Sequence, residues 1–394
     1  MKLFNRFPRA GLIVSALVVA AIAACGGGGD SGVATTAATS GTLRLALSDA
    51  PACGYDAVNI TVQRVRVHQS SSAGDSDAGW SEVVLNPARK INLLNLTNGV
   101  LDELGQTPLP TGRYTQLRMI LADNTGNTLA NSVVPTGAAE VGLKTPSGQQ
   151  SGVKANINID IGANQLADFV LDFDACKSVV TAGNSGQFLL KPVVSVIPRY
   201  ISAVAGFVDA TLANGNTSVS LQQGGVVIKA TVPDAAGKFL LQPVGAGSYS
   251  LVLTAPGRTT AVITNVAVTT DRVTTVNGSS TAFSLPASTT GTVNGTAPVD
   301  TLVRALQVLS SGTTVEVAGR FVDANTGAYS FPLAVNAPLV APYVAAPSIL
   351  VFTADTAVAG RYTARASLAS FADKSVVLPV LTSGATVTTN ITFP

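Results

Sequence analysis

The chain has few of the residues from which hydrolytic and metal sites are usually built. Its 394 residues include one His, one Trp and three Cys, and charged residues make up 12%. Typical globular proteins carry about twice that charged share. A Ser/His triad or a histidine-built metal site would have to use His68. Because His68 ends a predicted strand and no Gly-x-Ser-x-Gly elbow occurs, we expect a protein that is not an enzyme.

Positive charge is also scarce once the start of the chain is set aside. Lys2, Arg6 and Arg9 precede the first acid, Asp30. Removing these three from 24 basic residues leaves 21 against 22 acidic ones, a net charge of −1. Nucleic-acid binding needs a clustered basic surface. We therefore expect no nucleic-acid partner.

Apolar residues make up 46% of the chain, and its length suits two or three domains.

Residues 1–9 are cationic and residues 10–24 are apolar and uncharged, as in a secretory signal peptide. The apolar run is shorter than the roughly 20 residues of a membrane span. Residues 26–40 lack a hydrophobic period and are typical of a flexible tether.

The run Ile22-Ala23-Ala24-Cys25 resembles a bacterial lipobox. This resemblance implies cleavage before Cys25 and acylation of that residue, and Gly26 at the next position implies the outer membrane. The periplasmic side and the cell surface both remain open. Several acyl chains suffice for stable anchoring. The alternative is an ordinary signal peptide, cleaved near Ala23-Ala24 and followed by a chance Cys.

Two cysteines remain if Cys25 carries lipid, namely Cys53 and Cys176. An even number of thiols in an exported protein suggests a disulfide. A loop of this size, roughly 120 residues, would be worth at most about 4–5 kcal/mol in the chain-entropy model. The alternative is two unpaired small core residues.

Strand-like alternation dominates residues 41–199. Leu43, Leu45 and Leu47 share one face, and the Ile residues of 156–161 alternate with Asn and Asp as in an outer strand of a sandwich. The apolar phase slips at Gln63-Arg64, which predicts a β-bulge. A looser spacing predicts one short helix at 100–105. The pattern as a whole predicts an all-β fold.

The order of motifs in this region resembles the DUF4382 family. That family comprises exported bacterial β domains, often on lipoproteins, and its resemblance implies no defined activity. The runs that carry the similarity are Leu47-Ser48-Asp49-Ala50-Pro51, Tyr55-Asp56-Ala57-Val58, Arg64-Val65-Arg66-Val67-His68, Ile91-Asn92-Leu93-Leu94, Thr111-Gly112-Arg113-Tyr114, Leu143-Lys144-Thr145-Pro146, Leu171-Asp172-Phe173-Asp174-Ala175-Cys176-Lys177-Ser178 and Leu190-Lys191-Pro192-Val193.

Residues 202–285 resemble a carboxypeptidase regulatory-like, or transthyretin-like, domain. The resemblance rests on Gly237-Lys238-Phe239, Gly247-Ser248-Tyr249 and the turn Ala255-Pro256-Gly257-Arg258. Residues 288–394 look like a diverged copy, with Gly327 matching Gly237 and Tyr362 matching Tyr249. The two offsets, 90 and 113 residues, place a 23-residue insertion near 333–353. A generic sandwich is the alternative for both segments.

These observations predict an N-terminal β-sandwich followed by two small transthyretin-like or Ig-like sandwiches. The expected segments are a lipoprotein signal peptide at 1–24, the lipidated Cys and linker at 25–40, a DUF4382-like domain at 41–199, a carboxypeptidase regulatory-like domain at 202–285 and its copy at 288–394. We expect each to hold its own core, with small polar contacts between them. The apolar insertion is expected to need cover from a neighbour.

Four carboxylates are candidates for a ligand or metal site. Asp172 and Asp174 share one strand face, and Asp49 and Asp56 flank Cys53. A Cys53–Cys176 disulfide would gather all four, and Ca²⁺ prefers clustered oxygen ligands. No EF-hand or repeat loop accompanies them. Hydrogen-bonded turn carboxylates are therefore the alternative.

Two further features suit binding. The polar loop 145–152, with Lys144 and Lys154 on either side, is rich in hydrogen-bonding groups, and Trp80 could stack on a sugar or merely pack over a hairpin.

The sequence predicts a non-catalytic lipoprotein of the outer membrane with a structural, adhesive or ligand-presenting role. Its expected partners are the membrane, through acyl chains, and a glycan or envelope protein. One alternative is a carbohydrate-binding surface protein with starch-binding-like modules, which would need several exposed aromatics on one face. Another is a calcium-dependent binding or enzyme site at the Asp cluster.

Overall fold

Three hydrophobic cores follow one another along the chain, each between β-sheets. The structure, a computed structural model, describes residues 39–49, 54–126, 128–146, 151–345 and 348–394. Of these described residues, 53% lie in strands and 6% in helices. The prediction of an all-β fold built from sandwiches is confirmed. We refer to 39–199, 202–285 and 288–394 as the N-terminal, middle and C-terminal regions.

The N-terminal region places its core between two sheets. Its strands are β1 (Ser40–Asp49), β2 (Tyr55–His68), β3 (Ser81–Asn92), β4 (Asp102–Pro110), β5 (Gly112–Leu121), β6 (Ser132–Pro135), β7 (Val141–Lys144), β8 (Val153–Ile161), β9 (Leu166–Phe173), β10 (Val179–Thr181), β11 (Phe188–Leu190) and β12 (Val194–Pro198). One sheet has the order β12-β9-β1-β4, and the other has β10-β11-β7-β6-β2-β5-β8 with β3 on β2. Short helical segments are α1 (Ala175–Ser178) and the 3-10 turns Leu93–Asn95 and Gly183–Ser185.

Local patterns in this region predicted strands better than they predicted helix. Buried and exposed residues alternate along β8, which lies at the end of its sheet. The register of β2 shifts between Val62 and Arg64, so the predicted bulge is confirmed. The helix expected at 100–105 is wrong, because β4 begins at Asp102 and pairs with β1. Burial of Leu104 in the N-terminal core outweighs the helical spacing.

The middle and C-terminal regions repeat one strand order. Their strands are β13 (Ala203–Phe207), β14 (Ser218–Gln223), β15 (Val226–Thr231), β16 (Lys238–Leu241), β17 (Gly247–Thr254), β18 (Ala261–Val268), β19 (Val273–Thr275), β20 (Thr290–Thr296), β21 (Leu302–Val308), β22 (Thr314–Phe321), β23 (Ala328–Ala334), β24 (Leu339–Pro342), β25 (Thr353–Ala354), β26 (Thr363–Ser367), β27 (Lys374–Val377) and β28 (Thr386–Thr388). The 3-10 turns are Ala210–Leu212, Ser279–Thr281 and Thr356–Val358.

Each of these two regions pairs a three-stranded sheet with a larger one. The small sheets run β16-β13-β19 and β23-β20-β28, each with one antiparallel and one parallel pair. The larger sheets contain β15-β14-β17-β18 and β22-β21-β26-β27. Gly237 and Gly327 occupy equivalent turns at φ +78° and +68°, where a Cβ would collide with a backbone carbonyl. The two regions therefore share one strand order and one tight turn.

The predicted insertion joins the sheet of its neighbour. Strand β24 pairs with β18 of the middle region, and β25 pairs with β24. A separate apolar cluster, Val252, Val262, Leu309, Val315 and Val358, also lies between the middle and C-terminal regions. The expectation of small polar contacts is therefore wrong here. The residues described form one compact unit.

A buried tyrosine closes one end of each repeat. The hydroxyl of Tyr249 donates to the carbonyl of Gly245 at 2.9 Å, and that of Tyr362 donates to Ala334 at 2.6 Å. Both rings belong to their cores. Burial raises the pKa of Tyr362 to about 12. The hydroxyl therefore acts as a hydrogen-bond donor at any ordinary pH.

Candidate functional site

The runs that carry Asp49 and Asp172, two of the predicted site residues, lie side by side in one sheet. Strands β1 and β9 are parallel neighbours, with Ser48 opposite Asp172 and Asp49 opposite Phe173. Asp49 is buried, and its Oδ1 accepts the backbone N–H of Ala175 at 3.0 Å. The backbone pairing follows from the alternating apolar residues that both strands place in the core. It brings Asp49 and Asp172 to the same end of the sheet.

Lys229 of β15 reaches this end from the middle region. Its Nζ forms an ion pair with Asp172 and lies 2.8 Å from the Oγ of Ser48. The Lys229 and Asp172 side chains are only 2% and 9% exposed. Burial raises the pKa of the Asp172 carboxyl, while the Lys229 ammonium opposes that rise. The contact joins two regions through groups shielded from water.

A second, largely buried cation lies between the N-terminal and C-terminal regions. Lys177 of α1 places Nζ 2.8 Å from Glu316 and 3.4 Å from Asp174. Asp174 also caps α1 by accepting the N–H of Lys177 at 2.9 Å. Burial alone would lower the pKa of Lys177, but the two carboxylates together raise it. Lys177 is therefore held as an ammonium ion.

Glu316 ties this cluster to the middle region as well. The amide of Gln222 donates to the Glu316 carbonyl at 2.8 Å and accepts the Glu316 N–H at 2.7 Å. All three regions thus meet at one place. We call this set of buried and partly buried residues the charged junction; it consists of Ser48, Asp172, Asp174, Lys177, Gln222, Lys229 and Glu316.

Asp323 makes a separate contact between the N-terminal and C-terminal regions. Its Oδ2 accepts the N–H of Gly183 at 2.7 Å and the hydroxyl of Thr181 at 3.2 Å. Burial opposes ionisation, but the backbone donors of Thr326, Gly183 and Asn325 hold the pKa of Asp323 well below its usual range. The interaction therefore requires the carboxylate form.

The predicted carboxylates meet protein partners. Asp172 and Asp174 each face a lysine, which supplies the positive charge that a bound cation would supply. Asp56 is exposed and accepts the Gly137 N–H at 3.4 Å. Within the described ranges, no group of three or more His, Cys, Asp or Glu side chains is placed to hold a metal ion. The calcium hypothesis gains no donor set here.

Cys25 and Cys53 lie outside the residues that the structure describes. Cys176 lies in α1, next to Ala175. The hydrogen bond from the Ala175 N–H to Asp49 places the end of β1 beside the helix that carries Cys176. The Cys53–Cys176 disulfide stays a prediction.

His68 and Trp80 are engaged with their own hairpin. The Nδ1 of His68 accepts the Ser70 N–H at 2.8 Å and its Nε2 lies 2.9 Å from the Ala78 carbonyl, which the Nε2–H tautomer satisfies. The Trp80 indole donates to Gly74 at 2.9 Å. The guanidinium carbons of Arg66 and Arg118 lie 4.6 and 4.8 Å from its ring centroid. Trp80 therefore packs over the hairpin.

The polar loop contributes little that the structure describes. Residues 147–150 lie outside the described ranges. Lys144 donates to the Gln187 side chain at 2.7 Å, and Lys154 is exposed on β8.

Within the described ranges, no helix is long and apolar enough to cross a membrane.

Sequence reasoning missed Lys229 and Glu316. Both are single charges inside apolar strand-like runs, Val226-Val227-Ile228-Lys229-Ala230 and Val315-Glu316-Val317. A charge that must enter a buried face needs a partner. This was the signal that could have found them, although it does not identify the partner.

Residues 40–192 match the family model described as "Domain of unknown function (DUF4382)". This confirms the family resemblance of the N-terminal region, which is less than half of the chain. No match was found among curated proteins.

Several solved structures show distant similarity. A cohesin–X-dockerin complex from Acetivibrio cellulolyticus is 26% identical over 22% of this chain and 58% of that one, with a TM-score of 0.19. The match therefore spans little more than half the length of that chain. A streptococcal ancillary pilin is 11% identical over 89% and 98% of the two chains, with a TM-score of 0.13. A Ca²⁺-stabilised ice-binding adhesin of an Antarctic bacterium is 13% identical over 90% and 75%, with a TM-score of 0.11. These scores are too low to define a shared fold or to carry a functional argument.

Proposed function

We propose that this chain is a non-catalytic outer-membrane lipoprotein whose three β regions act as one stiff body. Its role would be structural or adhesive, presenting a surface to a partner at the cell envelope. The observation that carries this proposal is the way the regions are joined, through the charged junction and a shared sheet. Domains joined only by flexible linkers would change their relative orientation, whereas these regions are held to one another by direct contacts.

The same proposal covers the modules themselves. We infer that the middle and C-terminal regions are related carboxypeptidase regulatory-like domains, because they share one strand order and equivalent Gly and Tyr positions. The Cys53–Cys176 disulfide would brace the N-terminal region at the base of the charged junction.

The anchor is supported by the sequence at Cys25 and by the tether that follows. A coil of about 15 residues reaches on the order of 20 Å, which would hold β1 near the bilayer without embedding it. An acylated Cys25 would then attach the whole body to the membrane at one end.

The test of the anchor compares the full chain with Cys25→Ala. We expect wild-type protein to carry an acyl label and to sediment with outer membranes, and the variant to lose both. Gly26→Asp is the matched control, because it should keep the label while shifting to inner membranes. An unlabelled wild-type protein would show that the anchor assignment is wrong.

The carbohydrate-binding alternative finds weaker support. Among the residues described, the aromatics classed as exposed are Tyr200 and Phe371, at 39% and 44%, and they lie in different parts of the chain. A sugar platform usually needs several aromatics on one face. A glycan and protein array probed with the full detergent-solubilised chain separates the two possibilities, and selective glycan binding would favour the alternative.

A further inference from the structure

An amine and a carboxyl from different regions are buried against each other at the charged junction. Lys229 belongs to β15 of the middle region and Asp172 to β9 of the N-terminal region, and both side chains are more than nine-tenths buried. We propose that Lys229 Nζ and the Asp172 carboxyl condense to an amide that links the two regions covalently.

Ser48 completes the arrangement. Its Oγ lies 2.8 Å from Lys229 Nζ, and Ser48 stands opposite Asp172 in the parallel register of β1 and β9. Ser48 is itself fully buried. A hydroxyl that both donates and accepts hydrogen bonds can pass a proton between the two reacting groups.

The reaction balances without any added reagent. A proton first moves from the Lys229 ammonium to the Asp172 carboxylate, which leaves a neutral amine and a neutral acid. The amine lone pair attacks the carboxyl carbon, and a C–N bond forms. Ser48 relays a proton from the nitrogen to the departing hydroxyl oxygen. The C–O bond then breaks, and one water molecule leaves.

Burial favours each stage. Each buried ion has lost its hydration, which is unfavourable in a low-dielectric interior, whereas an amide carries no charge. Burial also raises the pKa of Asp172, which favours the neutral acid that reacts. Groups held in contact by a folded chain react as though at effective concentrations of about 10⁵–10⁸ M. In water, the separate ammonium and carboxylate ions are favoured over the amide. Burial and contact within the fold offset that preference.

Lys177 provides an internal comparison. It also lies against carboxylates, but it faces two of them, Asp174 and Glu316. Their combined charge keeps Lys177 protonated. An ammonium ion has no lone pair with which to attack, so Lys177 should remain unlinked.

The test is peptide mapping by tandem mass spectrometry of the purified, reduced full chain. We expect a branched peptide that joins the Lys229 and Asp172 segments and weighs one water less than their sum. Lys229→Arg and Asp172→Ala should abolish it, while Lys177→Arg and Lys191→Arg should leave it intact. Asp172→Asn should give the same branched product with loss of ammonia.

The wild-type chain alone decides the proposal, even if a variant does not fold. Recovery of the Lys229 and Asp172 peptides only as separate, unmodified species would overturn the amide. That result would leave the proposed anchor untouched, because acylation at Cys25 is measured independently.

Discussion

The largest contacts that the middle region makes with its two neighbours differ in chemistry, although Gln222 also bonds the backbone of Glu316 in the C-terminal region. Against the C-terminal region it buries an apolar cluster that includes Val252, Leu309 and Val315, and it accepts β24 into its own sheet. Against the N-terminal region it buries Lys229 on Asp172 and Ser48. An apolar contact is non-directional and insensitive to pH. A buried charged contact has one geometry and fails when either partner is lost.

Different contacts hold the regions together and set their relative orientation. The shared sheet and apolar cluster bind the repeats together, since removing the C-terminal region would expose the edge of β18 that β24 covers. The charged junction contributes to how the N-terminal region sits on that pair, together with the hydrogen bonds that join Asn98 to Thr231 and Leu240. The sequence suggested three separable modules, whereas the structure indicates that the middle and C-terminal regions depend on each other.

Breaking a buried charge should produce the largest effect. Lys177→Met leaves the buried carboxylate of Glu316 and the partly buried carboxylate of Asp174 without their cation, and we expect a loss of about 3–5 kcal/mol in the free energy of unfolding. Urea unfolding of the full chain measures it. Lys191→Met is the matched control, because its partner Asp300 is 66% exposed and such pairs contribute at most about 1 kcal/mol. Equal losses in the two variants would remove the distinction between buried and exposed pairs.

Weakening the apolar contact should have an intermediate effect without pH dependence. Val315 is fully buried in the cluster between the repeats. Val315→Ala should lower the free energy of unfolding by about 2 kcal/mol, because apolar burial is lost and a cavity is left behind.

Val308→Ala is the control for that variant, since Val308 is 47% exposed in the neighbouring strand and should change stability by no more than about 0.5 kcal/mol. Thermal melting at several pH values and salt concentrations checks both. A Val315→Ala loss that grows with salt would indicate that electrostatics also hold this contact.

Features set by nearby residues could be predicted from the sequence. The alternation along β8 and the phase slip at Arg64 are local, and both appear in the structure. The helix at 100–105 failed because its residues pair with β1, more than fifty positions earlier. The partners of Lys229 and Glu316 lie in other regions, so no local pattern could identify them. Strand β24 falls within the predicted insertion, but its pairing with β18 depends on the arrangement of two regions, which no local pattern reveals.

The contact at Asp323 should give the smallest effect, and only acid should reveal it. The folded pKa of Asp323 is lowered by its backbone donors, so the stability it contributes is present above the unfolded value of about 4 and is lost as pH falls through the folded value. Asp323→Asn should therefore lower the free energy of unfolding by on the order of 1 kcal/mol at neutral pH. It should also reduce the dependence of that free energy on pH in the acid range. Hydrogen exchange at the Gly183 amide, which donates to Asp323, reports the contact directly. Asp234→Asn is the matched control, because Asp234 accepts the N–H groups of Ala236 and Lys238 in a turn within one region. If Gly183 exchange is unchanged in Asp323→Asn, the carboxylate does not hold the N-terminal and C-terminal regions together, and other contacts between them, such as Lys177 with Glu316 and Lys191 with Asp300, set their orientation.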